Sequence, residues 1–227
     1  MPLLTRQLFP CILLFQKSAV FYTFMKPAQV QNILINKGIH IFTPEMFGQI
    51  FPAPSYTIKY WLESQTKQGL LKRLKRGLYT LSLFPPLEEE VANRLYRPSY
   101  ISLEYALAYY NLLQETPYTI TSVTTKPTRT FMSDNKTFSY RTIKRKAYTG
   151  YFLEKKSGAS FLIAEPEKAL ADYLYFVTLH KSPYNERLIE HLTDPSFYRT
   201  KRINREKLFH YTRLFEHKGL HVFMKKL

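Results

Sequence analysis

The spacing of apolar residues changes partway along this chain, and that change limits what it can fold into. Between Pro27 and Gly69 they recur at helical spacing in three short runs, broken at Gly38 and again at Pro52 and Pro54. Between Tyr118 and Leu162 the pattern gives way to short segments rich in β-branched and aromatic residues, which is the composition of strands. A helical head followed by a sheet-forming middle predicts the α+β class. With 227 residues, 45% hydrophobic and 16% aromatic, the chain can bury a substantial core and has room for two domains.

The amino-terminal pattern resolves into named elements. Pro27 suits a helix start, Val30, Ile33 and Leu34 give its apolar face, and Gly38 stops it. Ile39 to Phe42 read as extended. Thr43 caps a second helix with Pro44 at its first position, and Met46, Phe47 and Ile50 face inward. Ser55 is the expected cap of a third helix that runs to about Gln68 and ends at Gly69. Leu70 to Leu74 and Leu78 to Leu81 form a hairpin around Lys75, Arg76 and Gly77. Three short helices and a basic hairpin make a winged helix-turn-helix over residues 27–81, which predicts binding to double-stranded DNA.

Within the third helix, 100° steps gather Ile58, Trp61, Leu62 and Gln65 on the core side. The candidate DNA contacts are therefore Tyr56, Thr57, Lys59, Tyr60 and Lys67 on the helix, with Lys72, Arg73, Lys75 and Arg76 on the wing. Charge agrees with this division. The chain carries 33 Lys and Arg against 17 Asp and Glu, a formal net charge of +16. Residues 1–85 hold ten basic and only two acidic residues, so this half is basic mainly by excluding carboxylates, as a phosphate-facing surface would be. Charge alone also admits RNA, an anionic membrane or an acidic protein as partner, and a hairpin that binds another protein is a competing reading.

Residues 82–86 read as a linker and 87–227 as a larger domain, a sheet of about five or six strands packed by helices. Helices are expected over Leu87 to Leu95, Ser102 to about Asn111 with Ser102 as cap, Pro166 to His180, Tyr184 to Leu192 and Arg205 to His217. The expected strands are Thr119 to Val123, Thr128 to Met132, Thr137 to Thr142, Gly150 to Glu154 and Ser160 to Ile163, with a turn at Asp134 and Asn135. Pro98 to Tyr100 read as a turn. Lys144 to Lys146 read as a solvated basic edge, and Lys168 as a surface ion-pair partner of Glu165 and Asp172.

Residues 1–26 are set apart as an extension. Arg6 precedes the apolar run Leu8 to Phe15, but Gln16, Lys17 and Ser18 interrupt it well short of a membrane span. This segment is an extra strand or helix, or it lies upstream of a true start at Met25. Cys11 is the only cysteine, which excludes an intramolecular disulfide and makes the cytoplasm the default compartment.

No glycine-rich phosphate loop, nucleophile elbow or metal-ligand motif accompanies the six histidines. Glu165 and Glu167 are a carboxylate pair of the kind metal-assisted nucleases use, but nothing near them in sequence completes a site. The expectation is a non-catalytic protein with no metal and no cofactor.

Four segments in order, KQGLLKRLKRGLYTL (67–81), PSYISLEYAL (98–107), YTITSVTTKPTRTF (118–131) and FLIAEPEKALADYLYF (161–176), resemble the AbiEi family. Its members are antitoxins and transcriptional regulators of abortive-infection type IV toxin–antitoxin systems. The resemblance implies a winged domain that represses its own operon at promoter repeats. It also implies a larger domain that counteracts a nucleotidyltransferase-like toxin without needing a stable complex. Apart from the resemblance, the expectation is a monomer or weak homo-oligomer with no membrane partner. Carried onto this chain, the resemblance marks Glu104, Arg129, Glu167, Lys168 and Asp172 as polar candidates for domain packing or antitoxic function. The chain departs from the family at Tyr105, where a small residue is usual, and at Gln65 and Thr66, which soften a leucine-rich helix core. A solitary winged-helix regulator, or an accessory protein of mobile DNA, is the alternative.

Overall fold

Prolines at the first helical position open the first two helices among the described residues, where a missing amide hydrogen costs nothing. The computed structural model describes residues 26–115, 117–182, 184–201 and 203–226; the extension before Lys26 and its start site lie outside them. Helix α1 (Pro27–Asn36) is followed by β1 (Ile41–Phe42), α2 (Pro44–Ile50) and α3 (Ser55–Lys67), then by β2 (Leu71–Lys75) and β3 (Leu78–Leu81). The three strands form a sheet of order β1-β3-β2, all antiparallel. Thr43 caps α2 by accepting from the Met46 amide at 3.3 Å. Ser55 is not a cap: Pro54 holds that position, and its carbonyl accepts from Thr57 and Ile58 at 2.9 and 3.1 Å.

The chain divides into two units between Pro86 and Leu87. The second contains α4 (Glu88–Leu95), β4 (Ser99–Ile101), α5 (Leu103–Tyr109), β5 (Ile120–Thr124), β6 (Arg129–Ser133), β7 (Lys136–Thr142), β8 (Tyr151–Lys156) and β9 (Ala159–Ala164). Helices α6 (Pro166–Thr178), α7 (Glu186–Thr193), α8 (Pro195–Thr200), α9 (Arg205–Arg213) and α10 (Lys218–Met224) follow. The six strands make one mixed sheet, β6-β7-β5-β4-β9-β8, so the class is α+β.

The expected strands are present within a residue or two. Asp134 and Asn135 turn β6 into β7 with φ of +48° and +61°, the paired left-handed geometry that tight hairpins need. One strand departs from expectation. Pro98 to Tyr100 read as a turn in sequence, yet Ser99–Ile101 is β4, in the middle of the sheet, antiparallel to β5 and parallel to β9. At three residues it is too short for any periodicity, and Pro98 just before it reads as a breaker.

The passage from β4 into α5 is tight. Leu103, fully buried, takes a left-handed φ of +62°, an unusual conformation for a branched side chain. Thr121 clamps it: its carbonyl accepts from the Ser102 amide at 3.1 Å, its hydroxyl donates to the Ser102 carbonyl at 2.7 Å, and the same hydroxyl accepts from the Tyr105 amide at 3.1 Å. Helix α6 is buried almost all round, against α5, α9 and α10.

Gly150 marks another close approach. Its φ is +73°, and a Cβ there would lie 2.6 Å from the Tyr211 ring. Gly158 has φ +80° but open space around it. Gly150→Ala is therefore expected to destabilise the second unit by about 2–4 kcal/mol, backbone strain plus overpacking, while Gly158→Ala costs about 1–2 kcal/mol. Equal shifts of the two variants in urea unfolding would contradict the packing account.

Candidate nucleic-acid interface

The first unit is held by an apolar cluster that fixes which side of α3 faces out. Val30, Leu34, Phe42, Phe47, Ile58, Trp61, Leu62, Leu71, Tyr79 and Leu81 pack together, with Trp61 stacked on Phe47 at 5.0 Å between ring centroids. Ile58, Trp61, Leu62 and Gln65 are all buried on the expected side. Gln65 and Thr66 do not break the helix: Thr66 donates its hydroxyl to the Leu62 carbonyl at 2.7 Å, and the Gln65 carbonyl accepts from the Leu70 amide at 3.0 Å.

The opposite side of α3 presents Tyr56, Lys59, Tyr60, Glu63 and Lys67, all five exposed, with Glu63 on the same stripe as the cations. The two tyrosines are 66% and 60% exposed, which is costly for large rings unless something covers them. Thr57 departs from this set. It is only 8% exposed and sits with the core residues, because its position adjoins the buried arc of the helix wheel. A helix of 13 residues is about 20 Å long, enough to lie in a major groove.

On the wing, Lys72, Arg73 and Arg76 lie on the outside of the hairpin, and Lys75 is half-buried. Gly77, with φ +74° and open space around it, is there for the backbone rather than for packing. Six cations lie on α3 and the wing with Glu63 as the one carboxylate between Ser55 and Leu81. The surface these side chains share is cationic and carries two flat rings. It can neutralise phosphates and press aromatic or polar edges against a polymer.

In the second unit the polar candidates have different fates. Lys168 and Asp172 read as a surface pair in sequence; instead they form an ion pair with both side chains fully buried. The Asp172 carboxylate also accepts from the hydroxyls of Ser102 at 2.7 Å and Tyr100 at 3.2 Å. The Lys168 ammonium lies 4.6 Å from the centre of the Phe215 ring. Burial pushes the Asp172 carboxyl up, against the pull of Lys168, Ser102 and Tyr100, and burial lowers the Lys168 ammonium against the pull of Asp172. Ser102, expected to cap α5, makes no cap bond because its hydroxyl is spent on Asp172.

Glu165 pairs with Lys207 at 2.6 Å, not with Lys168, and accepts from the Tyr211 hydroxyl at 2.6 Å. Glu167 accepts from the Asn204 amide at 2.8 Å. Both carboxylates are thus engaged in docking α9 and the residues before it onto α6. Glu104 accepts from the Ser182 hydroxyl at 2.8 Å, and Arg129 lies exposed over the rings of Phe131 and Tyr96. Tyr105 reaches Glu89; burial first and that carboxylate second hold its phenol protonated well above its usual range. Lys146 pairs with Glu216 at 2.7 Å, so part of the basic run at 144–146 ties down the turn after α9.

No protein-family model matches this chain, and no curated protein matches it in sequence. Among the described residues no helix is long and apolar enough to cross a membrane, and no group of three or more His, Cys, Asp or Glu is placed to hold a metal.

The buried pair gives a sharp expectation. Lys168→Met leaves Asp172 buried without its counterion and should destabilise the protein by about 3–5 kcal/mol, whereas Lys168→Met combined with Asp172→Leu should recover much of that loss. Urea unfolding of the two variants measures the difference. A single variant as stable as the parent would mean that the pair is not an ion pair in solution.

Proposed function

We propose that this chain is a DNA-binding transcriptional autorepressor that also counteracts a nucleotidyltransferase-like toxin, acting in the cytoplasm where promoter DNA lies. The observation that carries the first half is the outward face of α3 together with the wing: exposed Tyr56, Lys59, Tyr60 and Lys67 beside Arg73 and Arg76, with a single carboxylate among them. In this arrangement α3 enters the major groove with the residues of its first turns toward base edges, and the wing lies along the phosphates or in the neighbouring minor groove.

The second half rests on the AbiEi resemblance of the segments 98–107 and 161–176. Their folding onto one another, through Tyr100 and Ser102 on one and Asp172 on the other, is consistent with a shared role for them. In the proposed division of labour the winged unit finds the operon and the larger unit neutralises the toxin, so the two activities separate by mutation.

Lys59→Ala with Arg73→Ala and Arg76→Ala in the full chain is expected to weaken binding to its own promoter at least about tenfold. It should also flatten the dependence of log K on log salt by about 0.9 for each phosphate left without its cation, with no change in unfolding midpoint. The same variant, co-expressed with the toxin encoded beside it, should still rescue growth. Unaltered promoter binding would overturn the DNA reading, and failure to rescue would overturn the division of labour. A neighbourhood without a nucleotidyltransferase-like gene would leave the solitary regulator as the better account.

A further inference from the structure

The second unit contains a groove of about 660 Å³ that neither the wing nor the buried ion pair explains. Its volume is that of a small-molecule site. One wall is the end of α4 and the residues after it, carrying Arg94 and Arg97; the other is formed by Tyr148, Tyr151 and strand β9.

The arginines are placed at a cost. Neither forms an ion pair with a described residue, and Arg97 donates from its Nε to the Asn93 carbonyl at 3.3 Å. Partial burial and then the charge of Arg94 lower the Arg97 guanidinium from its usual range, so the two cations repel one another in a partly desolvated wall. Two forked donors held together with no carboxylate among the described residues bonded to either are suited to an anion that accepts from both, and phosphate geometry matches the fork.

The wall itself is rigid. Asn93 donates to the Leu162 carbonyl at 3.3 Å and accepts from the Leu162 amide, which pins α4 to β9 just behind the arginines. Tyr151 stacks on Tyr100 at 4.5 Å and 18°, with Tyr148 at 5.1 Å from Tyr100 and 5.3 Å from Tyr151. Tyr100 is fully buried and bonded to Asp172, so the half-exposed rings at the groove are the outer edge of an aromatic stack anchored on the buried ion pair. Ser99 on the same wall has a buried hydroxyl with no partner among the described residues.

We propose that this groove binds a nucleoside phosphate, with the phosphate held by Arg94 and Arg97 and the base against Tyr148 and Tyr151. A fixed ring platform beside a guanidinium pair meets both halves of such a ligand, and stacking on tyrosine needs no base-specific contacts. The groove favours a mononucleotide over a polymer. It is concave and closed in by α4 on one side and β9 on the other.

Calorimetric titration of the full chain with ATP and GTP tests this. Saturable one-to-one binding is expected for at least one of them. Arg94→Ala with Arg97→Ala should weaken it at least about tenfold at unchanged unfolding midpoint, the effect expected from removing charge-assisted bonds. Arg73→Ala with Arg76→Ala on the wing removes the same charge and should leave nucleotide binding unaltered, which also separates this proposal from the DNA reading. Adenosine, guanosine and inorganic phosphate should each bind at least about tenfold more weakly than the intact nucleotide. Four results would overturn the proposal: no binding up to millimolar nucleotide, equal weakening in both arginine variants, inorganic phosphate binding as tightly as ATP, or a single-stranded oligonucleotide outcompeting mononucleotides for Arg94 and Arg97.

Discussion

An ammonium and a carboxylate removed from water must satisfy one another and every remaining hydrogen-bond position, and the second unit is organised around one such pair. Lys168 and Asp172 sit one turn apart on α6 with no exposure at all. The carboxylate needs further donors and takes them from Ser102 and Tyr100, which fixes where β4 ends and how α5 begins. The ammonium faces the ring of Phe215, which ties in the turn between α9 and α10. Desolvating two charges offsets most of their attraction, so such a pair adds little to stability in total. What it adds is specificity: a helix shifted by one residue, or a β4 out of register, would strand a charge.

The first unit is built the other way. Its core is apolar, its sheet is three short antiparallel strands, and most of its charges lie on one side of α3 and along the hairpin. Among its described residues no buried charge dictates the geometry. The outward side of α3 carries its exposed tyrosines and cations. The two units therefore use their polar residues differently, one in an internal network and the other on an outward face.

This difference also decides what is legible in the sequence. Ile58, Trp61, Leu62 and Gln65 are readable because a helix on an apolar core repeats its pattern every turn, and the Thr43 cap and the Asp134–Asn135 turn are local chemistry. Thr57, at the edge of the buried arc, is where the helix wheel misleads. In the second unit the departures share a cause. Ser102 looks like a cap and Lys168–Asp172 like a surface pair, since both motifs are common and local, but the bonds that decide their fate span about 70 residues. Strand β4 and the short helices α8 and α10 are too brief to carry periodicity. The groove at Arg94 and Arg97 has no sequence signature, since its other wall comes from β8 and β9 and the turn before them.

If α3 and the wing form a DNA-binding face, that face must lose solvent access when DNA is bound. Hydrogen–deuterium exchange of the full chain, alone and with duplex DNA spanning its promoter, tests this most directly. The expected result is slowed exchange concentrated at residues 55–67 and 71–78, with the buried strands of the second unit unaltered. Unchanged exchange at both segments while the protein is bound to that DNA would contradict it.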